Sequence, residues 1–131
     1  MKICFAICEY NPFHNGHLKH LEYIKEKIKP DAVAIIMSGD FTQRGEIAVL
    51  DKYTRAEHAI KAGADVVFEL PAIFAAAPAE IFAKGAISII NRVHGEKVLC
   101  FGTESAEKEK LLSTAAALIN ETKEFKKLYK E

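Results

Sequence analysis

The chain has 131 residues, of which 50% are hydrophobic, and its 18 basic side chains balance its 18 acidic ones. This length and composition are typical of one folded domain with an ordinary hydrophobic core. A net charge of zero gives no sign of the large basic surface that nucleic-acid binding normally requires. The composition therefore does not by itself favour a nucleic-acid-binding protein.

The N-terminal stretch MKICFAICEYNP has too short an apolar segment for a signal peptide and lacks a small-residue cleavage site. The sequence also lacks a run of 18 apolar residues. We therefore expect a cytoplasmic protein without membrane contact. Cys4 and Cys8 would lie roughly 13 Å apart in a strand, too far for a disulfide, and Cys100 sits in the strand-like run VLCF. We interpret all three cysteines as buried small apolar residues.

Apolar residues run almost without interruption from Lys2 to Cys8, which predicts a central parallel strand covered on both faces. A helix should follow, with Asn15 as N-cap and Pro30 closing it. Its apolar positions recur at helical spacing: Leu18, Leu21, Ile24 and Ile28.

The alternation of strands and helices continues to the end of the chain. Strands are predicted at residues 32–37, 64–70 and 97–102, and helices at 51–63, 78–95 and 105–119, with 121–131 as a continuation. The apolar face of the 78–95 helix is predicted to comprise Phe82, Ala83, Ala86, Ile87 and Ile90. This order predicts a three-layer, Rossmann-like α/β domain with a parallel sheet and helices on both faces.

The sequence EYNPFHNGH, Glu9 to His17, leaves the first strand and enters the first helix. Ligands of parallel sheets bind beyond the carboxyl ends of the strands, and a helix N-terminus suits an anion such as phosphate. His14 and His17 could both donate hydrogen bonds to a phosphoryl group there, with Gly16 allowing close approach. Two histidines at this spacing are also common as exposed or structural residues, and a zinc site with His20 lacks a fourth ligand.

The segment EYNPFHNGHLKH resembles the HxGH motif of the nucleotidyltransferase superfamily, and in particular the bacterial tRNA(Met) cytidine acetate ligases. SGDFTQRGEIAVLDKYTRAEHAIKAGADVVFELP, AEIFAKGAI and FGTES match that family in the same order. The resemblance covers most of residues 2–105.

This resemblance implies that ATP activates acetate as acetyl-adenylate, with transfer of the acetyl group to N4 of the wobble cytidine of elongator tRNA(Met). His14 and His17 would be catalytic. The residues implied in ATP binding are Ile7, Cys8, Glu9, Tyr10, Asn11, Pro12, Phe13, His14, Asn15, Gly16, His17, Leu18, Lys19, His20 and Gly102.

Two long connections, 38–50 and 71–77, exceed what packing requires and are often functional in compact domains. Gln43 and Arg44 in the first of them, and Lys52 and Arg55 one helical turn apart just after it, are candidates for phosphate or RNA contacts. A solvated helix face or a structural ion pair explains them equally well. Mg²⁺ is expected with ATP, and no protein ligand is selected for it among Asp40, Glu46, Glu69 and Glu104.

Proteins of the family are considerably longer, so tRNA contacts are expected mainly from a C-terminal region that these residues lack. Residues 121–131 place Phe125, Leu128 and Tyr129 on one helical face, which could pack on this domain, on a further domain or on a second subunit. Internal packing is the simplest of these. Two alternatives stay open. One is an adenylyltransferase acting on a small phosphorylated substrate, and the other is a nucleotide-binding module that is inactive in isolation.

Overall fold

A computed structural model of the chain describes residues 1–103 and 107–120. Four parallel strands form one sheet in the order β3-β2-β1-β4: β1 is Lys2–Cys8, β2 Ala32–Ser38, β3 Val66–Leu70 and β4 Glu96–Leu99. The predicted parallel α/β sheet is confirmed. The strand predicted at 97–102 begins one residue earlier and ends at Leu99. Its last backbone hydrogen bond to β1 runs from Cys100 N–H to Phe5 O.

Helices connect the strands and follow the last one: α1 Asn15–Tyr23, α2 Lys52–Lys61, α3 Ala72–Ala75, α4 Ala79–Arg92 and α5 Lys108–Ile119. A π-helical turn, Ile24–Ile28, continues α1 until Lys29 takes a left-handed conformation just before Pro30. The N-cap predicted at Asn15 is wrong by one residue: His14 caps α1. The connection 71–77, predicted as a loop, contains α3.

Two apolar clusters fill the two faces of the sheet, because successive strand residues point to opposite sides. One face packs against α1 and α2, where Leu21 and Ala59 are fully buried. The other packs against α3 and α4, where Ala75 and Ala86 are fully buried. The prediction of helices on both faces is therefore confirmed.

The buried face of α4 differs from the predicted one. It consists of Phe82, Gly85, Ala86, Ile89 and Ile90. Ala83 and Ile87 are exposed. Gly85 can face the core closely because a Cβ there would stand 2.5 Å from the ring of Phe74 on α3. The close approach of these two helices rotates α4 relative to the face expected from the periodicity.

All three cysteines are free thiols. Cys4 is fully buried, whereas Cys8 and Cys100 are partly buried, so the prediction of buried cysteines holds fully only for Cys4. Burial raises the pKa of Cys4 to about 11 and that of Cys8 to about 12, which keeps both thiols protonated at neutral pH. Among the described residues, the helices are all too short or too polar to cross a membrane.

The α5 helix differs from the other helices because none of its residues is buried. Leu112 and Ile119 are 59% and 82% exposed. Some predictions for this part of the chain concern residues outside the described ranges: Glu104 as a magnesium candidate, Ser105 as a helix start, and the helical continuation over 121–131.

Candidate phosphate-binding turn at the end of β1

Two histidines cap the N-terminus of α1. His14 Nδ1 accepts a hydrogen bond from Gly16 N–H at 3.0 Å, and His17 Nδ1 accepts one from His14 N–H at 3.3 Å. Together they form a reciprocal capping box, with histidine in both roles usually taken by Ser or Thr and Glu or Gln. Gly16 is required because a Cβ there would come within 2.9 Å of the His14 ring.

These hydrogen bonds fix the tautomer of both imidazoles. A ring nitrogen that accepts a backbone N–H carries no proton, so in the neutral ring the proton lies on Nε2. Neither Nε2–H of His14 nor that of His17 meets a hydrogen-bond partner within the described part of the chain. The turn therefore presents two N–H donors on the ring edges that face away from the helix backbone.

The imidazole rings of His14 and His17 lie in direct contact. Their centroids lie 3.7 Å apart and their planes differ by 19°, so the rings are stacked. The pKa of His17 is lowered from its ordinary value by burial first, and then by the charges of His14 and His20. His17 is therefore neutral at pH 7 and donates through Nε2–H without carrying a fixed charge.

Two aromatic side chains of the preceding loop hold His17 in place. The Tyr10 ring is 1% exposed and lies 4.7 Å from the His17 ring, and the Phe13 ring lies 5.5 Å from it. Tyr10 has a φ of 48°, which is uncommon for a residue with a side chain. That conformation turns the chain sharply after β1 while the Tyr10 ring enters the core below α1 and α2.

Arg55 of α2 joins the two loops at this edge of the sheet. It is 0% exposed, and the other basic side chains of this helix are not buried. Its guanidinium donates to Leu50 O at 2.9 Å, to Glu9 O at 2.6 Å, to Ser38 O at 3.2 Å and to Gly39 O. The charge is thus surrounded by backbone carbonyl groups from the loops that follow β1 and β2.

Side chains of the first loop also bind the backbone of the second, residues 39–50. Glu9 Oε1 accepts from Gln43 N–H at 2.6 Å, and Asn11 Oδ1 accepts from Val49 N–H at 2.7 Å. Within the second loop, a bridge between Phe41 and Ile47 forms a small antiparallel hairpin. The long connection noticed in the sequence is therefore an ordered structure packed against the histidine turn.

The four candidate phosphate or RNA contacts occupy different positions. The prediction for Arg55 is corrected: a fully buried guanidinium bonded to backbone carbonyls is structural and does not face a ligand. Arg44 is exposed near the hairpin tip, and Gln43 is partly buried with its N–H bonded to Glu9. Lys52 Nζ lies 2.9 Å from both carboxylate oxygens of Glu69.

Sequence reasoning missed Arg55 as an interior residue, although a signal was present. Arg55, Ala59 and Ala62 recur at helical spacing and share the face of α2 that packs on the sheet, where Ala59 is fully buried. The partners of Arg55 are main-chain oxygens, and no side-chain pattern reveals main-chain partners. The pairing of Lys52 with Glu69 depends on strand order and was equally invisible.

The remaining residues implied in ATP binding lie along the same edge. Ile7 and Cys8 end β1, and Asn15, Leu18, Lys19 and His20 follow along α1. His20 Nε2 lies 3.2 Å from Cys100 Sγ, just after β4. Gly102 follows two residues later, and a Cβ built there would meet nothing within 4 Å.

A cavity of about 650 Å³ lies between the end of β4 and α5. Phe101 and Thr103, the neighbours of Gly102, line it together with Leu111 and Leu112 of α5 and Tyr23 of α1. Neither His14 nor His17 lines this cavity. Its volume falls within the range of about 300–1,000 Å³ that is usual for small-molecule sites, and the contact between His20 and Cys100 connects its wall to α1.

Among residues 1–103 and 107–120, no three histidine, cysteine or carboxylate side chains lie close enough together to hold a metal ion. In the described residues, the edge of the sheet offers imidazole N–H donors, backbone groups and single charges. Such groups suit the electrostatic stabilisation of a phosphoryl group.

The sequence profile described as HIGH Nucleotidyl Transferase matches residues 1–131. The chain belongs to the HIGH nucleotidyl transferase family. Within this family, the sequence is 44% identical over 131 residues to a tRNA(Met) cytidine acetate ligase of Clostridium acetobutylicum, covering 100% of this chain and 33% of that protein. It is 47% identical over 130 residues to the protein of the same name from Thermosipho melanesiensis, covering 99% and 31%.

The fold matches a solved structure of the same kind. A crystal structure of Thermotoga maritima TmcAL bound with alpha-thio ATP superimposes with a TM-score of 0.89 at 46% identity, covering 97% of this chain and 31% of that one. Its apo form gives a TM-score of 0.90, also at 46% identity, covering 97% of this chain and 30% of that one. The chain thus spans about a third of the length of the curated relatives that it matches.

Proposed function

We propose that this chain is the ATP-binding catalytic part of a tRNA(Met) cytidine acetate ligase. The reaction would activate acetate as acetyl-adenylate and pass the acetyl group to N4 of the wobble cytidine of elongator tRNA(Met), with AMP as the leaving group and release of one proton from the amine. The observation that carries the proposal is the histidine pair, whose Nδ1 atoms are both occupied and whose Nε2–H donors are both available. The names of the relatives and the ATP analogue bound to the Thermotoga maritima protein support the same activity.

In the proposed first step, a carboxylate oxygen of acetate attacks the α-phosphorus of ATP. A new oxygen–phosphorus bond forms, the bond from the α-phosphorus to the bridging oxygen breaks, and pyrophosphate leaves with that electron pair. No proton has to move. Negative charge develops on the phosphoryl oxygens and on the leaving group, so fixed N–H donors at that place lower the barrier.

His14 and His17 would supply these donors. The stacked rings and the packing of Tyr10 and Phe13 fix their direction before ATP binds, so little reorganisation is needed during the reaction. The Gly16 N–H is occupied by the His14 ring, so the imidazoles rather than this backbone group would meet the phosphates. The adenosine part of ATP would extend along the sheet edge towards Gly102.

Mg²⁺ would enter with ATP. It prefers oxygen ligands, keeps several of its waters and commonly binds through substrate phosphates and one or two carboxylates. Arg44, exposed on the hairpin, stays a candidate for an RNA contact. We place the reaction in the cytoplasm, where the tRNA substrate is found.

The test is acetate-dependent exchange of labelled pyrophosphate into ATP, compared between the wild-type protein and His17→Ala. Loss of one preorganised donor should reduce exchange by on the order of 10²-fold. His94→Ala is the matched control, because His94 is exposed in the loop before β4, at the opposite edge of the sheet, and should leave exchange unchanged. Exchange that does not require acetate, or a folded His17→Ala protein with full activity, would contradict the proposal.

A further inference from the structure

A second, smaller cavity lies near the carboxyl ends of β2 and β3, under the start of α2. Its volume is about 150 Å³, and it is lined by Met37, Lys52, Tyr53, Ala56, Val67 and Glu69. A water molecule takes about 30 Å³ of the liquid, and pockets for drug-sized molecules start at about 300 Å³. The cavity therefore accommodates a few heavy atoms and is too small for a nucleotide.

The strand register places this cavity close to the end of β1. Met37 is paired with Cys8, the last residue of β1, on one side and with Glu69 on the other. Neighbouring strands lie about 4.8 Å apart, so the cavity begins about one strand away from the residue that precedes Glu9. Met37, Ala56 and Val67 belong to the same sheet face as Tyr10 and Phe13, which hold His17.

The lining combines an apolar base with one cation. Met37, Ala56 and Val67 form the apolar part, and the Lys52 ammonium, with 26% of its side chain exposed, is the single positive charge. Two of the three N–H donors of the Lys52 ammonium bond to the Glu69 carboxylate, so the third is left for another acceptor. The Glu69 hydrogen bond raises the pKa of Lys52, so its ammonium stays charged at neutral pH.

We propose that this cavity binds the acetate of the adenylation reaction, with the carboxylate on the Lys52 ammonium and the methyl group against Met37, Ala56 and Val67. The inference rests on the function proposed above and adds the position of the second substrate. Glu69 competes with acetate for Lys52. Acetate can displace Glu69 readily, because solvent-exposed ion pairs contribute little to stability.

If Lys52 and Glu69 form only a structural ion pair, replacing either one should affect the KM for acetate in the same way. If Lys52 binds acetate, the two replacements should shift this KM in opposite directions. Lys52→Met keeps the apolar stem and removes the charge, so it should raise the KM for acetate about tenfold or more, as expected for one charge-assisted hydrogen bond. Glu69→Gln removes the competing carboxylate, so it should lower the KM for acetate. Both variants should leave the KM for ATP within about twofold of the wild-type value.

Lys61→Met is the matched control, since Lys61 lies on the same helix and pairs with a glutamate, Glu57, far from the cavity. The inference is overturned if Lys52→Met and Glu69→Gln shift the acetate KM in the same direction or not at all. It is also overturned if Lys52→Met raises the KM for ATP as much as that for acetate. Lys52 would then contact the phosphates of ATP.

A binding measurement separates this inference from the proposed function. The sequence contains two methionines, so methyl labelling gives two signals: Met37 in the cavity and Met1, which is 74% exposed at the opposite edge of the sheet. Titration with sodium acetate should shift the Met37 signal to saturation and leave Met1 in place, whereas sodium chloride at equal ionic strength should shift neither. An unchanged Met37 signal overturns the acetate site, even where the wild-type protein carries out acetate-dependent exchange. A saturating shift supports the site even where exchange fails.

Discussion

The histidine turn and the α5 region lie along the same sheet edge but are held in different ways. The turn is tied to distant parts of the chain by Arg55, Glu9 and Asn11, whose hydrogen bonds reach residues 38–50. The α5 helix contributes no buried residue, and its leucines line an open cavity. The position of the histidines thus depends on interior contacts, so substitutions below the turn should have large effects and substitutions in α5 small ones.

The strongest test of this difference is removal of the buried guanidinium. Arg55→Met keeps much of the side-chain volume but leaves four backbone carbonyls of the two loops without their donor. We expect the free energy of unfolding to fall by about 3 kcal/mol or more, measured by urea denaturation. Arg92→Met, on the exposed end of α4, is the control and should change it by less than about 0.5 kcal/mol. Equal effects would show that Arg55 does not hold the loops.

A second test separates the structural and chemical roles of His14. His14→Ala removes the N-cap of α1 and should lower the unfolding free energy by about 1 kcal/mol. His14→Asn supplies another good N-cap without an imidazole, so its stability should stay close to that of the wild type. Both variants should lose pyrophosphate exchange. Full exchange by His14→Asn would mean that His14 serves only as a cap.

The pH dependence of stability gives a smaller effect. Burial lowers the pKa of both His17 and His20 below the ordinary value of 6.5. As pH falls below 6.5 the unfolded chain takes up these protons first, so stability present above that pH is progressively lost until the lowered pKa values are passed. Urea denaturation at several pH values should show this loss, and it should be smaller in His17→Asn. An identical pH profile in that variant would contradict the burial of His17 as its cause.

The smallest effect is expected in α5. Leu112→Ala removes a side chain that is 59% exposed and should change the free energy of unfolding by less than about 0.5 kcal/mol. Leu21→Ala is the matched change in α1, at a fully buried position, and should cost about 2–5 kcal/mol. Thermal denaturation of the two variants compares the regions directly. Similar losses would place α5 in the folded core.

The sequence predicted the strands, the sheet class and the position of the histidine turn because these follow from local patterns. An uninterrupted apolar run marks β1, and a turn with Pro12 and Gly16 marks the entry into α1. It did not predict that His14 would be the cap, because Asn15 is the commoner capping residue and the two imidazoles bond to the backbone of their own turn.

The interior position of Arg55 was not predicted, for a different reason. An arginine one helical turn from Lys52 suggests a phosphate contact, yet the fold leaves Lys52 partly exposed and places Arg55 against the sheet. The main-chain carbonyls that surround Arg55 come from loops 5 to 46 residues away in the sequence. Contacts of that kind depend on the assembled sheet.

The proposed function requires that His14 and His17 present Nε2–H donors to the phosphates of ATP. Long-range proton–nitrogen correlation spectra of the imidazoles test it most directly, since they distinguish the two neutral tautomers, and His94 serves as an internal control. We expect the Nε2–H tautomer for both residues at pH 7.5, with shifts on addition of ATP and Mg²⁺ while His94 stays unchanged. An Nδ1–H tautomer, or signals of His14 and His17 that do not respond to ATP, would contradict it.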